Sequence, residues 1–237
     1  MPKLDEYLDV CLNNLTLSKC RLPEFVEIGD AHIQRFSSAL GMSKHVTSTQ
    51  CFLQAHAVLR SALLVTIIGI NKSHFPLFRQ ASEFAAHCFL MRFDHDFKIG
   101  WLTEKPSSKQ REIKRAWKRR FRRLIEEKDQ DLWSIFSGRY EDWIALGAHP
   151  SKLGMTLSVE FSFEEGKDEG TMLFSSIGND QARTMGWYSF GCTVAMLDIV
   201  FAHVWPEIYE EQRGDKRRCE FSTSFKEWCV SNELPMN

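Results

Sequence analysis

For most of this chain the apolar residues recur three and four positions apart, and that period limits the possible folds more than any motif does. Leu4, Leu8, Cys11, Leu12 and Leu15 form the first such stripe, the mark of an amphipathic helix. The same spacing predicts a second helix from about Glu24 to Leu40, stopped at Gly41 in the position a C′ glycine takes. A third opens near Ser43 and carries Phe52, Leu53, Ala57, Leu64, Ile67 and Ile68. Its second half is apolar nearly all round, which places it centrally. Pro76 starts a fourth that runs to about Phe93, with Phe78, Ala81, Phe84, Ala85, Cys88 and Phe89 on one face. A loop around Gly100 and Pro106 separates it from two more, roughly Ser108 to Lys128 and Gln130 to Leu146. A long apolar helix from about Asp180 to Glu211 closes the core, and Phe221 to Val230 forms a short last one.

The period changes once. Met155, Leu157, Val159, Phe161 and Phe163 alternate with Thr156, Ser158, Glu160, Ser162 and Glu164, the pattern of a half-buried strand. The stretch from Glu165 to Gly170 reads as a turn and Thr171 to Ile177 as the return strand. There is no internal repeat and no low-complexity linker. The expected fold is mainly α: a bundle of long helices forming a single domain over 1–237, with one inserted β-hairpin at about 155–177.

Composition narrows the class. Hydrophobic residues make up 43% of the 237, enough for a proper core without staples. The seven cysteines are odd in number and never spaced Cys-x-x-Cys, so the reading is free thiols in a reducing compartment rather than a disulfide framework or zinc knuckle. The N-terminus carries Asp5 and Glu6 where a signal peptide has its apolar core; the expected location is cytoplasmic. Ser61 to Ile70 is too short to span a bilayer. Trp187 to Trp205 is long enough but holds Asp198 and His203, which favours a buried core helix over a membrane span. The eight histidines do not cluster at metal-ligand spacing, and no Walker, Rossmann or Gly-x-Ser-x-Gly pattern occurs. No metal and no cofactor are expected.

The charge is balanced in total, 30 basic against 31 acidic residues, but not in place. Between Glu104 and Lys128 lie eleven lysines and arginines against four acids, a local excess of seven, so the rest of the chain carries −8. On a helix, Ile113, Trp117, Phe121, Leu124 and Ile125 share one face and most of the basic residues the other, with Arg120 at the boundary. Lys114, Arg115, Lys118, Arg119 and Arg122 are therefore the candidate binding residues for RNA, DNA or another polyanion. The competing reading is a solvated basic face, or one that pairs with acids elsewhere in the fold or on a protein partner. The aromatic residues of this helix fall on its apolar side, away from the basic face.

Arg79, Glu83 and His87, spaced i, i+4, i+8, draw a polar line along the fourth helix. A guanidinium binds phosphate, a carboxylate orients an imidazole, and imidazole titrates near neutrality. A second cluster, Tyr140 to His149 and Pro150, sits where the sixth helix ends. The run Leu77-Phe-Arg79-Gln-Ala-Ser-Glu83 on one helix, followed by Tyr140 and then His149-Pro150-Ser151, resembles a bacterial group of helical proteins related to the HEPN superfamily, over roughly Ser43 to Ser151. That resemblance implies a bundle of four or five long helices, frequent dimerisation, a place in toxin–antitoxin or antiphage systems, and in nuclease members metal-independent RNA cleavage by an arginine and a histidine four to six residues apart. Here seven residues separate Arg79 from His87 and nine separate Arg139 from His149. Eight helical steps carry His87 roughly 12 Å beyond Arg79, so the standard ribonuclease site is absent. What remains is a composite catalytic site of Arg79, Glu83 and His149, weighed against a structural Arg79–Glu83 ion pair with His149 as a turn residue.

The leading expectation is a HEPN-like protein of a bacterial or phage conflict system that binds RNA or another polyanion through the basic helix. Whether it is an enzyme stays open; if so, it is a metal-independent ribonuclease. The alternatives are a non-enzymatic module that docks an acidic protein partner, or a sensor of small anions or nucleotides built on the Arg79 stripe. The other partner expectations are a homodimer and no membrane.

Overall fold

The computed structural model describes residues 4–19, 22–70, 72–148, 159–163, 170–174 and 180–235. The chain is mainly α. In order the helices are α1 (Leu4–Lys19), α2 (Glu24–Ala39), α3 (Val46–Ile68), α4 (His74–Phe93), α5 (His95–Leu102), α6 (Ser108–Arg115), α7 (Trp117–Glu126), α8 (Gln130–Trp143), α9 (Asp180–Val204), α10 (Pro206–Glu211) and α11 (Gly214–Ser231). A 3-10 turn, Leu40–Met42, follows α2, and a π turn, Ile144–Ala148, follows α8. The strands β1 (Val159–Phe163) and β2 (Gly170–Phe174) pair antiparallel, Val159 opposite Phe174 and Phe163 opposite Gly170. The rest of the 155–177 stretch, and the expectation that it is covered on one face, lie outside the described residues.

Helices α3, α4 and α9 form the centre, each packed on the other two. Their shared interior is aromatic: Phe52, Phe75, Phe78, Phe89, Phe190 and Phe201 are fully buried. Helices α2 and α11 cover one side of α9, while α7 and α8 cover α4. Helix α1 lies on α3, where the Asn14 amide donates to the Ile68 carbonyl at 3.0 Å. Helices α3 and α9 are both long and apolar enough to cross a membrane by length and composition, and the apolar window of α9 is 78% buried against 39% for α3.

Several boundaries differ from the sequence reading, each for a local reason. Helix α2 does not end on a left-handed Gly41; it tightens into a 3-10 turn at Leu40. The left-handed cap is instead Gly69, with φ 79° at the end of α3. Helix α4 begins at His74, two residues before Pro76, which a first helical turn tolerates. The loop expected around Gly100 is mostly helix α5, nucleated by Asp94, whose side chain accepts from the Phe97 N–H. The long closing helix stops at Val204, because Pro206 starts a new one. The basic helix bends at Ala116, although neither glycine nor proline is present there.

Candidate functional site

Helices α6 and α7 carry the basic segment. Ser107 caps α6 in a reciprocal box: its hydroxyl accepts from the Gln110 N–H, and the Gln110 amide oxygen accepts from the Ser107 N–H. Phe121 and Ile125 are buried, and Ile113, Trp117 and Leu124 pack against the core, as the period predicts. Arg120, at the face boundary, is committed to structure. Its guanidinium forks onto Asp94 with two 2.6 Å bonds. Burial alone would raise the Asp94 carboxyl, but Arg120 and the Phe97 N–H outweigh it and hold the pKa below the usual range.

The outer face is different. Arg115 and Arg119 are exposed and have no acidic partner among the described residues. Lys114, Lys118 and Arg122 follow one another a helical turn apart, and each lies over an aromatic ring. The Lys114 ammonium is 5.0 Å from the Trp101 ring centre, Lys118 is 4.3 Å from Tyr140, and the Arg122 guanidinium is 5.4 Å from Trp133. Lys118 also pairs with Glu141, and Arg122 with Glu126 at 2.8 Å. Between α6–α7 and α8 runs an open groove of about 710 Å³, lined by Arg115, Lys118, Arg119, Arg122 and Trp133, with Glu112 and Glu141 also on its walls. The basic face is thus interleaved with aromatic rings after all. They come from α5 and α8 rather than from the basic helix itself, which no periodicity within one helix reveals.

Arg79 and Glu83 do meet, at the rim of the bundle, with Nε and Oε1 3.5 Å apart and about a third of each side chain exposed. The Tyr140 hydroxyl donates to the same Glu83 oxygen at 2.7 Å. The trio ties α4 to α8. His149 lies outside the described residues, and with it the third member of the composite site. His87 takes no part in the trio. It is buried, neither ring nitrogen has a partner among the described residues, and the rings of Phe97, Trp101 and Trp117 surround it at 5.4, 4.7 and 5.1 Å. Burial, helped by the nearby Lys114 charge, pushes its pKa down to about 4. It is a neutral core group at pH 7 rather than an acid–base catalyst.

One charged cluster was not legible in the sequence. The His32 Nε2 lies 2.6 Å from Asp198 Oδ1, and the Arg218 Nε donates to Asp198 Oδ2. His32 and Asp198 are both almost wholly buried, and Arg218 stacks 5.2 Å above the Tyr209 ring. The three come from α2, α9 and α11, so no local spacing signals them. Among the described residues no set of three or more His, Cys, Asp or Glu is placed to hold a metal ion. The described cysteines are free, and burial pushes the thiols of Cys51 and Cys229 up to about 11 and that of Cys192 up to about 12. None of these three is an activated nucleophile. Comparison of the chain with protein-family models, with curated proteins and with solved structures finds no match.

Proposed function

We propose that this chain binds RNA or a similar polyanion in the groove between α6–α7 and α8, as a HEPN-like protein of a bacterial or phage conflict system. The observation that carries the reading is the pairing of two exposed arginines without acidic partners, Arg115 and Arg119, with the row of Lys114, Lys118 and Arg122 over aromatic rings. Cations neutralise phosphates, and the rings beneath Lys114, Lys118 and Arg122 hold those three charges in a row. The same reading takes the chain as a single helical domain, with the 155–177 hairpin as an insertion in it. It is a binding function and includes no cleavage step. The Glu83 carboxylate is already engaged by Arg79 and Tyr140, and we assign that trio to holding α4 against α8.

Lys118–Glu141 and Arg122–Glu126 support a second reading, since the face demonstrably accepts carboxylates. On that reading the partner is an acidic protein surface. A gel-shift titration of the purified protein with mixed RNA at 50 mM salt separates the two. A shift that is lost on charge reversal at Arg115 and Arg119 supports nucleic acid. No shift at micromolar protein removes it, and leaves the acidic partner.

A further inference from the structure

Helices α8 and α11 both pack on α9 and leave between them a second cleft, of about 550 Å³, which shares α8 with the basic groove but none of its lining residues. Its floor is a row of α9 side chains, Tyr188, Cys192, Ala195 and Ile199, roughly 16 Å long by helical rise. Helix α11 contributes two adjacent rows. Phe221, Phe225 and Cys229 make an apolar one; Arg218, Ser222 and Lys226, spaced i, i+4, i+8, make a polar one beside it. We propose that this cleft binds an amphipathic anion: an extended apolar chain lying along α9, with a carboxylate or phosphate head held by Arg218 and with Lys226, two turns along the same row, as a second rim charge.

The polar end is built in advance. Asp198 is only 2% exposed, and its two oxygens are taken by His32 and by the Arg218 Nε. That fixes one edge of the guanidinium, and Tyr209 supports its face. The terminal nitrogens have no partner among the described residues, and Arg218 remains partly exposed at the cleft. A guanidinium so held loses little freedom on meeting a second acceptor and favours planar oxygen pairs. Asp198 presents no free oxygen to a ligand. Asp131, the other carboxylate on the lining, stands on the α8 wall, across from Arg218 and Lys226. The volume lies within the roughly 300–1,000 Å³ range of small-molecule sites.

The test uses the full chain with three ten-carbon probes below their micelle concentrations: decanoate, decyl phosphate and decyltrimethylammonium, each titrated by calorimetry. Two variants accompany them: Ala195→Trp, which fills the floor, and Lys226→Glu, which reverses the second cation, both checked for an unchanged circular dichroism spectrum. At least one anion binds and the cation does not; a preference for decanoate names a carboxylate head, and one for decyl phosphate names a phosphate monoester. Ala195→Trp weakens anion binding by about tenfold or more, and Lys226→Glu by about fivefold, the scale of one rim charge. Arg115→Glu/Arg119→Glu, on the other groove, leaves it unchanged. Binding of no anion, equal binding of the cation, or binding indifferent to Ala195→Trp overturns the proposal.

Discussion

Asp198→Ala removes a carboxylate that joins α2, α9 and α11, and the structure sets the size of the loss. Breaking a buried ion pair by deleting one partner costs about 3–5 kcal/mol, because the other partner is left charged and unpaired. Arg218 is 39% exposed here and can turn toward the cleft, so the lower end applies, about 3 kcal/mol. His32 has no such escape; it is 1% exposed, and its Nδ1 already lacks a partner among the described residues. For a chain of this length, each kcal/mol moves the melting temperature by roughly 2–4 °C, which gives a fall of about 6–12 °C. The comparison is Arg60→Ala, which breaks an Asp30–Arg60 pair that is nearly half exposed on the arginine side, and costs at most about 1 kcal/mol. Urea titrations followed by tryptophan fluorescence measure both. If Asp198→Ala loses no more than Arg60→Ala, the His32–Asp198–Arg218 cluster does not hold these helices together.

Two other substitutions and one pH profile follow from the packing. His74 and His87 are held neutral by burial, each with a pKa lowered to about 4. The unfolded chain binds their protons from about pH 6.5 downward and the folded chain does not, so stability is full above 6.5 and declines toward pH 4, by about 1.4 kcal/mol per pH unit for each. His87→Phe, which keeps a ring among Phe97, Trp101 and Trp117, should remove about 1.4 kcal/mol per pH unit from that slope; an unchanged slope in acid denaturation curves shows that His87 is not the titrating group. Gly191→Ala places a Cβ 2.3 Å from the Phe225 ring where α9 crosses α11, an overpacking that costs about 1–3 kcal/mol; an unchanged melting temperature refutes so close a crossing.

Much of the fold was legible because burial and helical period agree. Of the stripe Phe78, Ala81, Phe84, Ala85, Cys88 and Phe89, all but Phe84 are buried in the core, and Phe84 is partly buried against it. The miss at Gly100 was a propensity error: glycine and a nearby proline suggested a loop, but the Asp94 cap and the burial of Phe97 outweigh them. The candidate site was half legible. Charge density marks Arg115 and Arg119 from the sequence alone, whereas Trp101, Tyr140 and Trp133 reach the basic row only through packing of α5 and α8. Arg79 and Glu83 meet because four residues make a helical turn. That Tyr140 joins them depends on a contact across 57 residues.

The central claim is that the α6–α8 groove is a nucleic-acid surface, and the salt dependence of RNA affinity tests it most directly. Fluorescence anisotropy with a labelled single-stranded RNA, run from 50 to 200 mM salt, compares the native chain with the Arg115→Glu/Arg119→Glu/Arg122→Glu variant. Five phosphate contacts on a single strand give a log–log slope of about −3.5, a loss of about 10²-fold across that range, and the variant, whose changes lie on the face away from Phe121 and Ile125, keeps its melting temperature while it loses binding. Affinity that is absent at 50 mM salt, or that survives the triple reversal, contradicts the account.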